Sequence, residues 1–130
     1  MIFWRVWAIV LGSSLMIGET IRSWGQGRNP LFVLDDFLIG VPLIITAILM
    51  ARPSPPRWCA FSASFAASAG MLYGSFFDKL FDLSNPASSN INIRLLTALI
   101  GLAFVSSILG LFASIRASGN MKTRSVRNTS

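Results

Sequence analysis

Long apolar runs alternate with short polar segments along most of the chain. A helix needs about 20 residues, at 1.5 Å per residue, to cross a hydrocarbon layer about 30 Å thick. Four runs have this length, over residues 2–21, 31–51, 58–77 and 95–115. The connecting segments are short enough to join antiparallel neighbours. The pattern therefore predicts an all-α membrane protein, with a four-transmembrane-helix up-down bundle over residues 1–115.

Proline and polar residues mark the ends of these runs. Asn29 followed by Pro30 is typical of a helix N-cap and a first helical position. Residues 52–57 contain three prolines, which remove backbone donors and favour extended conformations, so a helix should stop there. Pro42 lies inside the second run and predicts a kink. Residues 116–130 are polar and basic, and we expect a disordered tail.

Composition supports membrane placement and narrows the chemistry. The chain is 53% hydrophobic and only 12% charged, and its mean hydropathy is +0.63. It has no histidine and a single cysteine, Cys59, which removes the commonest general base and excludes an intrachain disulfide. No serine, threonine or cysteine has a recognisable activating base. We therefore expect no enzymatic activity, no catalytic residue and no dedicated metal site, and the sequence indicates no particular cofactor.

Charge is distributed unevenly between the two ends of the predicted bundle. One end carries every acidic residue, together with four basic ones: Glu19, Asp35, Asp36, Asp78 and Asp82, with Arg22, Arg28, Lys79 and Arg94. The other end carries seven basic residues and no acid: Arg5, Arg52, Arg57, Arg116, Lys122, Arg124 and Arg127. Because basic residues in short loops stay on the cytoplasmic side, this bias predicts that both termini are cytoplasmic, in a bacterial inner membrane.

The net charge of +6 suggests lipid rather than nucleic acid as a partner. The positive residues are spread over the flanks of the apolar runs, and no groove-reading motif is present. Basic residues at a membrane surface gain about 1 kcal/mol each from anionic lipids. We therefore expect lipid-headgroup contacts from four residues of the tail: Arg116, Lys122, Arg124 and Arg127.

A cluster of charged residues near the acidic end is the candidate functional site. Glu19, Asp35 and Asp36 fall inside apolar runs, where a carboxylate should face protein or water and find a partner. In one interpretation Glu19, Arg22 and Asp36 form a salt-bridged clasp between the first two helices. In another, the carboxylates line a vestibule that attracts a cation or carries a proton. A divalent-metal site that also includes Asp78 fits the ligand chemistry but matches no known spacing.

Helical spacing predicts which faces of the runs pack together. Small residues allow close helix contact in lipid, so rows of them mark candidate interfaces. The predicted rows are Ala8, Gly12, Leu15, Glu19 and Arg22; Asp36, Gly40, Leu43 and Ala47; Ala63, Ala67, Gly70, Gly74 and Asp78; and Ser106, Gly110 and Ser114. By this criterion Asp36 points inward and Asp35 does so less. The third and fourth runs should touch along the last of these rows.

No motif in the sequence identifies a family, so the expected function follows from placement and from the small-residue rows. These rows exceed what four helices need to pack among themselves. We expect a non-enzymatic integral membrane protein that serves as an accessory, assembly or scaffold subunit of a larger membrane complex, or that self-associates. The alternative is a minimal ion or proton-coupled transporter that uses the carboxylate cluster.

Overall fold

Four α-helices account for almost all of the described chain in the computed structural model. They are α1 (Ile2–Ser23), α2 (Pro30–Leu49), α3 (Pro55–Leu83) and α4 (Ile91–Asn128). The structure describes residues 1–24, 30–83 and 91–128, except the side chains of Arg22, Phe32 and residues 82–83, 91–92 and 121–128. No strand occurs within these ranges. The all-α class expected from the apolar runs is confirmed.

The starts of α2 and α3 follow the proline positions, and α3 and α4 extend beyond the ends of the predicted runs. α2 begins at Pro30, and α3 begins at Pro55, because proline fits the first turn of a helix, where its missing N–H is not needed. α2 continues through Pro42. α4 continues to Asn128, whereas the polar, basic composition of residues 116–130 predicted a disordered tail. Adding residues to an existing helix avoids the cost of nucleation, and this segment contains no proline.

The helices pair as two antiparallel hairpins. In the α1–α2 hairpin, Gly12 lies against Gly40: a Cβ atom on Gly12 would lie 2.8 Å from the Gly40 carbonyl oxygen. In the α3–α4 hairpin, the Ser62 and Ser114 hydroxyl oxygens are 2.9 Å apart, and the Phe65 ring covers Gly110. In the first hairpin the backbones of the two helices are therefore in direct contact. The second closes by seating an aromatic ring over a glycine.

α2 and α3 join the hairpins and build the core between them. Leu43, Phe61 and Phe65 are fully buried there, and the two phenylalanine rings pack edge to face with their centroids 5.0 Å apart. Trp4 of α1 reaches the same cluster through an edge-to-face contact with Phe65. Thr46 Oγ1 donates to Ser64 Oγ at 3.3 Å and adds a polar contact between α2 and α3.

Three of the four predicted packing rows lie at helix contacts. The described members on α1 and α2 include the fully buried Ala8, Leu43 and Ala47. On α4, Ser114 is fully buried, and the predicted contact between α3 and α4 is confirmed by its contact with Ser62.

The prediction for α3 is wrong, because its small-residue row faces outward. All five members are exposed: Ala63, Ala67, Gly70, Gly74 and Asp78. The buried face instead carries Phe61, Ser64, Phe65, Ser68 and Leu72. Large rings bury more apolar area than alanine or glycine, and the glycines of α4 leave room for them.

The bundle is open on one side. α1 contacts α2, α2 contacts α3 and α3 contacts α4 along their lengths, whereas α1 and α4 barely touch. Within the part of the chain that the structure describes, two segments are long and apolar enough to cross a membrane, Ile2–Ile21 and Ile93–Asn120. Only 17% and 22% of their most apolar windows are buried inside the protein, unlike the core helix of a water-soluble domain.

Candidate functional site

The open side of the bundle forms a cleft between α1 and α4. Its volume is about 740 Å³. One wall consists of α1 residues between Trp7 and Ile21, and the other of α4 residues between Ile93 and Ala103. Leu72 of α3 and Asp36 of α2 complete the lining, which is otherwise mostly aliphatic. The cleft exists because the two hairpins meet through α2 and α3 and leave α1 and α4 apart.

Two carboxylates lie at one end of this apolar cleft. Glu19, near the end of α1, and Asp36, near the start of α2, both line it and are partly buried. Ser23, one turn after Glu19, donates a hydrogen bond from Oγ to Glu19 Oε1 at 3.3 Å. A carboxylate beside apolar walls requires such polar partners, because desolvation disfavours its charge. The cleft therefore combines an apolar body with an acidic end.

The remaining acidic candidates are placed elsewhere. Asp35 is exposed, so the expectation that Asp36 is the more inward of the pair agrees with the structure. Asp78 is 73% exposed, pairs with the neighbouring Lys79 at 3.1 Å and does not line the cleft. Arg22 reaches the end of α1, but its side chain lies outside the described residues, so the Glu19–Arg22 clasp stays a prediction.

The predicted lipid contacts lie at the opposite end of the molecule. Arg116 is exposed on α4. The side chains of Lys122, Arg124 and Arg127 lie outside the described residues, although the α4 backbone continues past them. Their headgroup contacts remain predictions.

The described residues offer a limited chemistry. In residues 1–24, 30–83 and 91–128, no three histidine, cysteine or acidic side chains come together as metal ligands would. Cys59 is exposed at the other end of the bundle. The acidic end can attract a cation or exchange a proton.

Trp7 is a cleft residue that sequence reasoning missed. It lines the cleft from a position near the start of α1, and its buried Nε1 forms no hydrogen bond to any described residue. The signal lay in its helical spacing, because Trp7, Leu11 and Leu15 share one face with Gly18. From Trp7 to Glu19 the cleft follows α1 for about 18 Å, at 1.5 Å per residue.

Two arginines at the basic end cap the last turn of α2. Arg5 of α1 donates from Nε to the Ala47 carbonyl at 3.0 Å. Arg57 of α3 donates from Nη1 to the carbonyls of Arg52 at 2.7 Å and Leu49 at 3.3 Å. Cations stabilise a helix C-terminus, because its last carbonyls lack helical partners and carry partial negative charge. Both side chains thus have a structural role in addition to the orientation signal in the sequence.

A second pocket, of about 450 Å³, opens beside these capping groups. Arg5, Met50, Trp58, Ala117 and Asn120 are among its lining residues, so α1, α3, α4 and the connection between α2 and α3 contribute to it. Trp58 is 5% exposed, and its buried Nε1 forms no hydrogen bond within the described part of the chain.

Comparison with protein family models, with curated proteins and with solved structures finds no match for this chain. The function proposed for it therefore rests on the geometry of its own residues.

Proposed function

We propose that this chain is a four-span integral membrane protein of a bacterial inner membrane, with both termini cytoplasmic, and that it acts as an accessory or scaffold subunit. Its contact surface is the outward face of α3, which packs against an apolar helix of a partner membrane protein. This proposal rests on a row of exposed small residues on α3, Ala63, Ala67, Gly70 and Gly74, which we call the small-residue face.

The exposed surface supports membrane placement of all four helices. Large hydrophobic side chains are exposed on each helix, for example Phe3 on α1, Leu38 on α2, Phe77 on α3 and Phe112 on α4. A water-soluble monomer rarely exposes apolar surface this extensive, whereas lipid tails are a favourable environment for it. α2 and α3, which are not among the two segments named above as apolar enough to cross a membrane, also expose large apolar side chains.

The small-residue face supports a helix partner. A Cβ atom added at Gly70 or Gly74 would meet nothing within 4 Å among the described atoms. The face extends from Ala63 to Gly74, about 16 Å at 1.5 Å per residue, and carries no charge. In lipid, small residues favour helix association because they let two backbones approach closely. A helix that contacted only lipid would gain nothing from this pattern.

Affinity purification in mild detergent tests this proposal. The parent chain should recover a membrane protein at fixed stoichiometry, and the double variant Gly70→Leu with Gly74→Leu should lose it because leucine side chains hold the helices apart. Ala98→Leu is the matched control, because Ala98 is an exposed small residue on α4 outside this face. Equal recovery by all three proteins would contradict the proposal. Recovery of a second copy alone would make the chain self-associating.

Reporter fusions test the orientation. A fusion after Gly119 should report the cytoplasm, and one within residues 84–90 should report the opposite side, because basic residues are more numerous at the Gly119 end. Both fusions reporting the same side would mean that α4 does not cross the membrane, which would contradict the four-span arrangement.

A second candidate function, a minimal cation or proton-coupled transporter, is favoured by the cleft. Glu19 and Asp36 line one apolar cavity, the arrangement that intramembrane acids adopt in carriers. Under this alternative Glu19→Gln or Asp36→Asn abolishes cation-driven flux in liposomes, while Asp35→Asn, at an exposed neighbouring position, leaves it intact. Absence of flux by the parent chain would eliminate the alternative.

A further inference from the structure

The pocket at the basic end has the donor set of an anion site. Its polar lining includes the Arg5 guanidinium, the Trp58 indole and the Asn120 amide, from three different helices. An indole and a guanidinium are donors only, and an amide nitrogen adds two more N–H groups. The pocket therefore brings together groups that complement an acceptor with several oxygen atoms.

Trp58 supplies the most specific observation. It is 5% exposed, and its Nε1 is buried without a hydrogen bond to any residue that the structure describes. A buried donor left unsatisfied is costly, so such groups usually have a partner. The indole cannot rotate freely, because it packs edge to face on Phe61 with the ring centroids 6.5 Å apart. The Trp58 ring therefore has a fixed position in the wall of the pocket.

Arg5 adds a positive charge that is held in place. Its Nε is bound to the Ala47 carbonyl, which anchors the guanidinium, while the two terminal nitrogens carry four further N–H groups. Among the described acidic residues, Glu19, Asp35, Asp36 and Asp78 all lie toward the other end of the bundle, so none of them competes for these N–H groups. The capping residue Arg57 increases the positive potential of the same end.

We propose that this pocket binds the phosphate group of an anionic phospholipid. The proposal rests on the membrane placement proposed above, since the ends of spanning helices lie at the depth of lipid headgroups. The Arg5 fork and the Trp58 N–H donate to phosphate oxygens, with Asn120 at the rim. Charge-assisted hydrogen bonds of this kind are the strong ones, and a planar guanidinium fits phosphate better than an ammonium group does. Free phosphate has the same chemistry and is distinguished by experiment.

The test is an NMR titration of the indole N–H groups in maltoside micelles, which contain no phosphate. The chain is labelled with ¹⁵N-tryptophan, and Trp58→Phe assigns the Trp58 signal by its loss. Three probes are added separately: phosphatidylglycerol, diacylglycerol with the same acyl chains, and inorganic phosphate. We expect phosphatidylglycerol to move the Trp58 signal downfield in a saturable way and diacylglycerol to leave it unmoved. The Trp24 indole, exposed at the other end, is the internal control.

Arginine variants extend the test to affinity. Arg5→Lys keeps the charge but loses the fork, and it should weaken phosphatidylglycerol binding about tenfold. Arg94→Gln, which removes an exposed arginine at the opposite end, should bind as the parent does. A shift with inorganic phosphate alone supports the site and identifies free phosphate as its ligand. No shift with either phosphate probe, or an equal shift with diacylglycerol, overturns the proposal.

Membrane fractionation separates this proposal from the proposed function. If the chain is recovered without detergent in the soluble fraction, yet its Trp58 signal responds to inorganic phosphate, membrane placement fails and the phosphate site stands. If the chain is membrane-bound and Trp58 responds to neither phosphate probe, the site fails and membrane placement stands.

Discussion

The α1–α2 contact and the outward face of α3 both contain glycine, but glycine has opposite surroundings in the two regions. At the α1–α2 contact, a Cβ atom added to Gly12 would lie 2.8 Å from the Gly40 carbonyl oxygen. On the outward face, Gly70 and Gly74 have open space beside them. The first pair is needed for the hairpin to close, whereas the second is not needed by any contact within the described chain. The difference indicates which glycines serve the fold and which are available to a partner.

The neighbouring residues create this difference. On α3, phenylalanines occupy the buried face and the small residues are exposed, because phenylalanine rings bury more apolar area than alanine or glycine does. On α1 and α2, the faces that meet pair a glycine with a glycine, so the helix backbones come into contact. Substitution of a contact glycine should therefore change the free energy of unfolding, and substitution of an outward glycine should change association.

The largest effect is expected at Gly110, where α4 receives the Phe65 ring. Gly110→Val places a branched side chain where the fully buried ring now lies, and overpacking of this kind should lower the free energy of unfolding by about 3 kcal/mol. Thermal unfolding in detergent measures the loss. Adding Phe65→Leu should restore part of it by making room. Failure of the second change to restore any stability would show that ring contact is not the cause.

Gly12→Ala should produce the next largest effect. Its Cβ would meet the backbone carbonyl of Gly40, which cannot move without separating the helices, so we expect a loss of about 1–2 kcal/mol. The same denaturation assay applies. Gly18→Ala is the control on the same helix, because a Cβ there meets nothing within 4 Å. Equal stability of the two variants would contradict a close α1–α2 approach.

A smaller effect is expected where α2 and α3 meet through hydroxyl groups. Thr46→Val keeps the side-chain shape and removes a hydroxyl that bonds the Pro42 carbonyl of its own helix at 2.7 Å and contacts Ser64 Oγ at 3.3 Å. We expect a loss of about 0.6 kcal/mol, the average for hydrogen bonds between membrane helices. Ser64→Ala with Thr46→Val should cost little more than Thr46→Val alone. Full additivity of the two changes would mean that the groups act independently.

The smallest effect on stability is expected at Gly74. Gly74→Ala should leave the unfolding free energy unchanged or raise it by less than about 1 kcal/mol, since alanine favours a helix more than glycine does and the added methyl group meets nothing. Unfolding is measured on the isolated chain, without a partner. A loss comparable to that of Gly12→Ala would place Gly74 in an internal contact and end the comparison.

The sequence predicts the helices well, because the length of an apolar run is a local property. It predicts the α1 and α2 faces for a similar reason: their small residues lie on the faces that meet. It fails for α3, because a row of small residues marks a helix contact without indicating whether the second helix belongs to the same chain. The choice depended on Phe61 and Phe65, whose burial becomes evident only when α4 is placed opposite them.

The candidate site was predicted in part. Glu19 and Asp36 were expected to face protein or water, because a carboxylate within an apolar run needs a polar or hydrated environment, and the structure places both beside one cleft. The cleft beside them could not be predicted, since it depends on how far two hairpins separate. Trp7 and Trp58 were not singled out, because membrane anchoring accounts for any tryptophan near the end of an apolar run. Their buried nitrogens emerge only from the packing.

Photo-crosslinking in native membranes tests directly whether the small-residue face of α3 packs against a partner helix. Benzoylphenylalanine replaces Met71, an exposed residue that flanks this face, or Leu109, which is exposed on α4. We expect a protein adduct from position 71 and none from position 109. The adduct from position 71 should be lost when Gly70→Leu and Gly74→Leu are added. An adduct absent from position 71, or unaffected by the two leucines, would contradict the proposed contact.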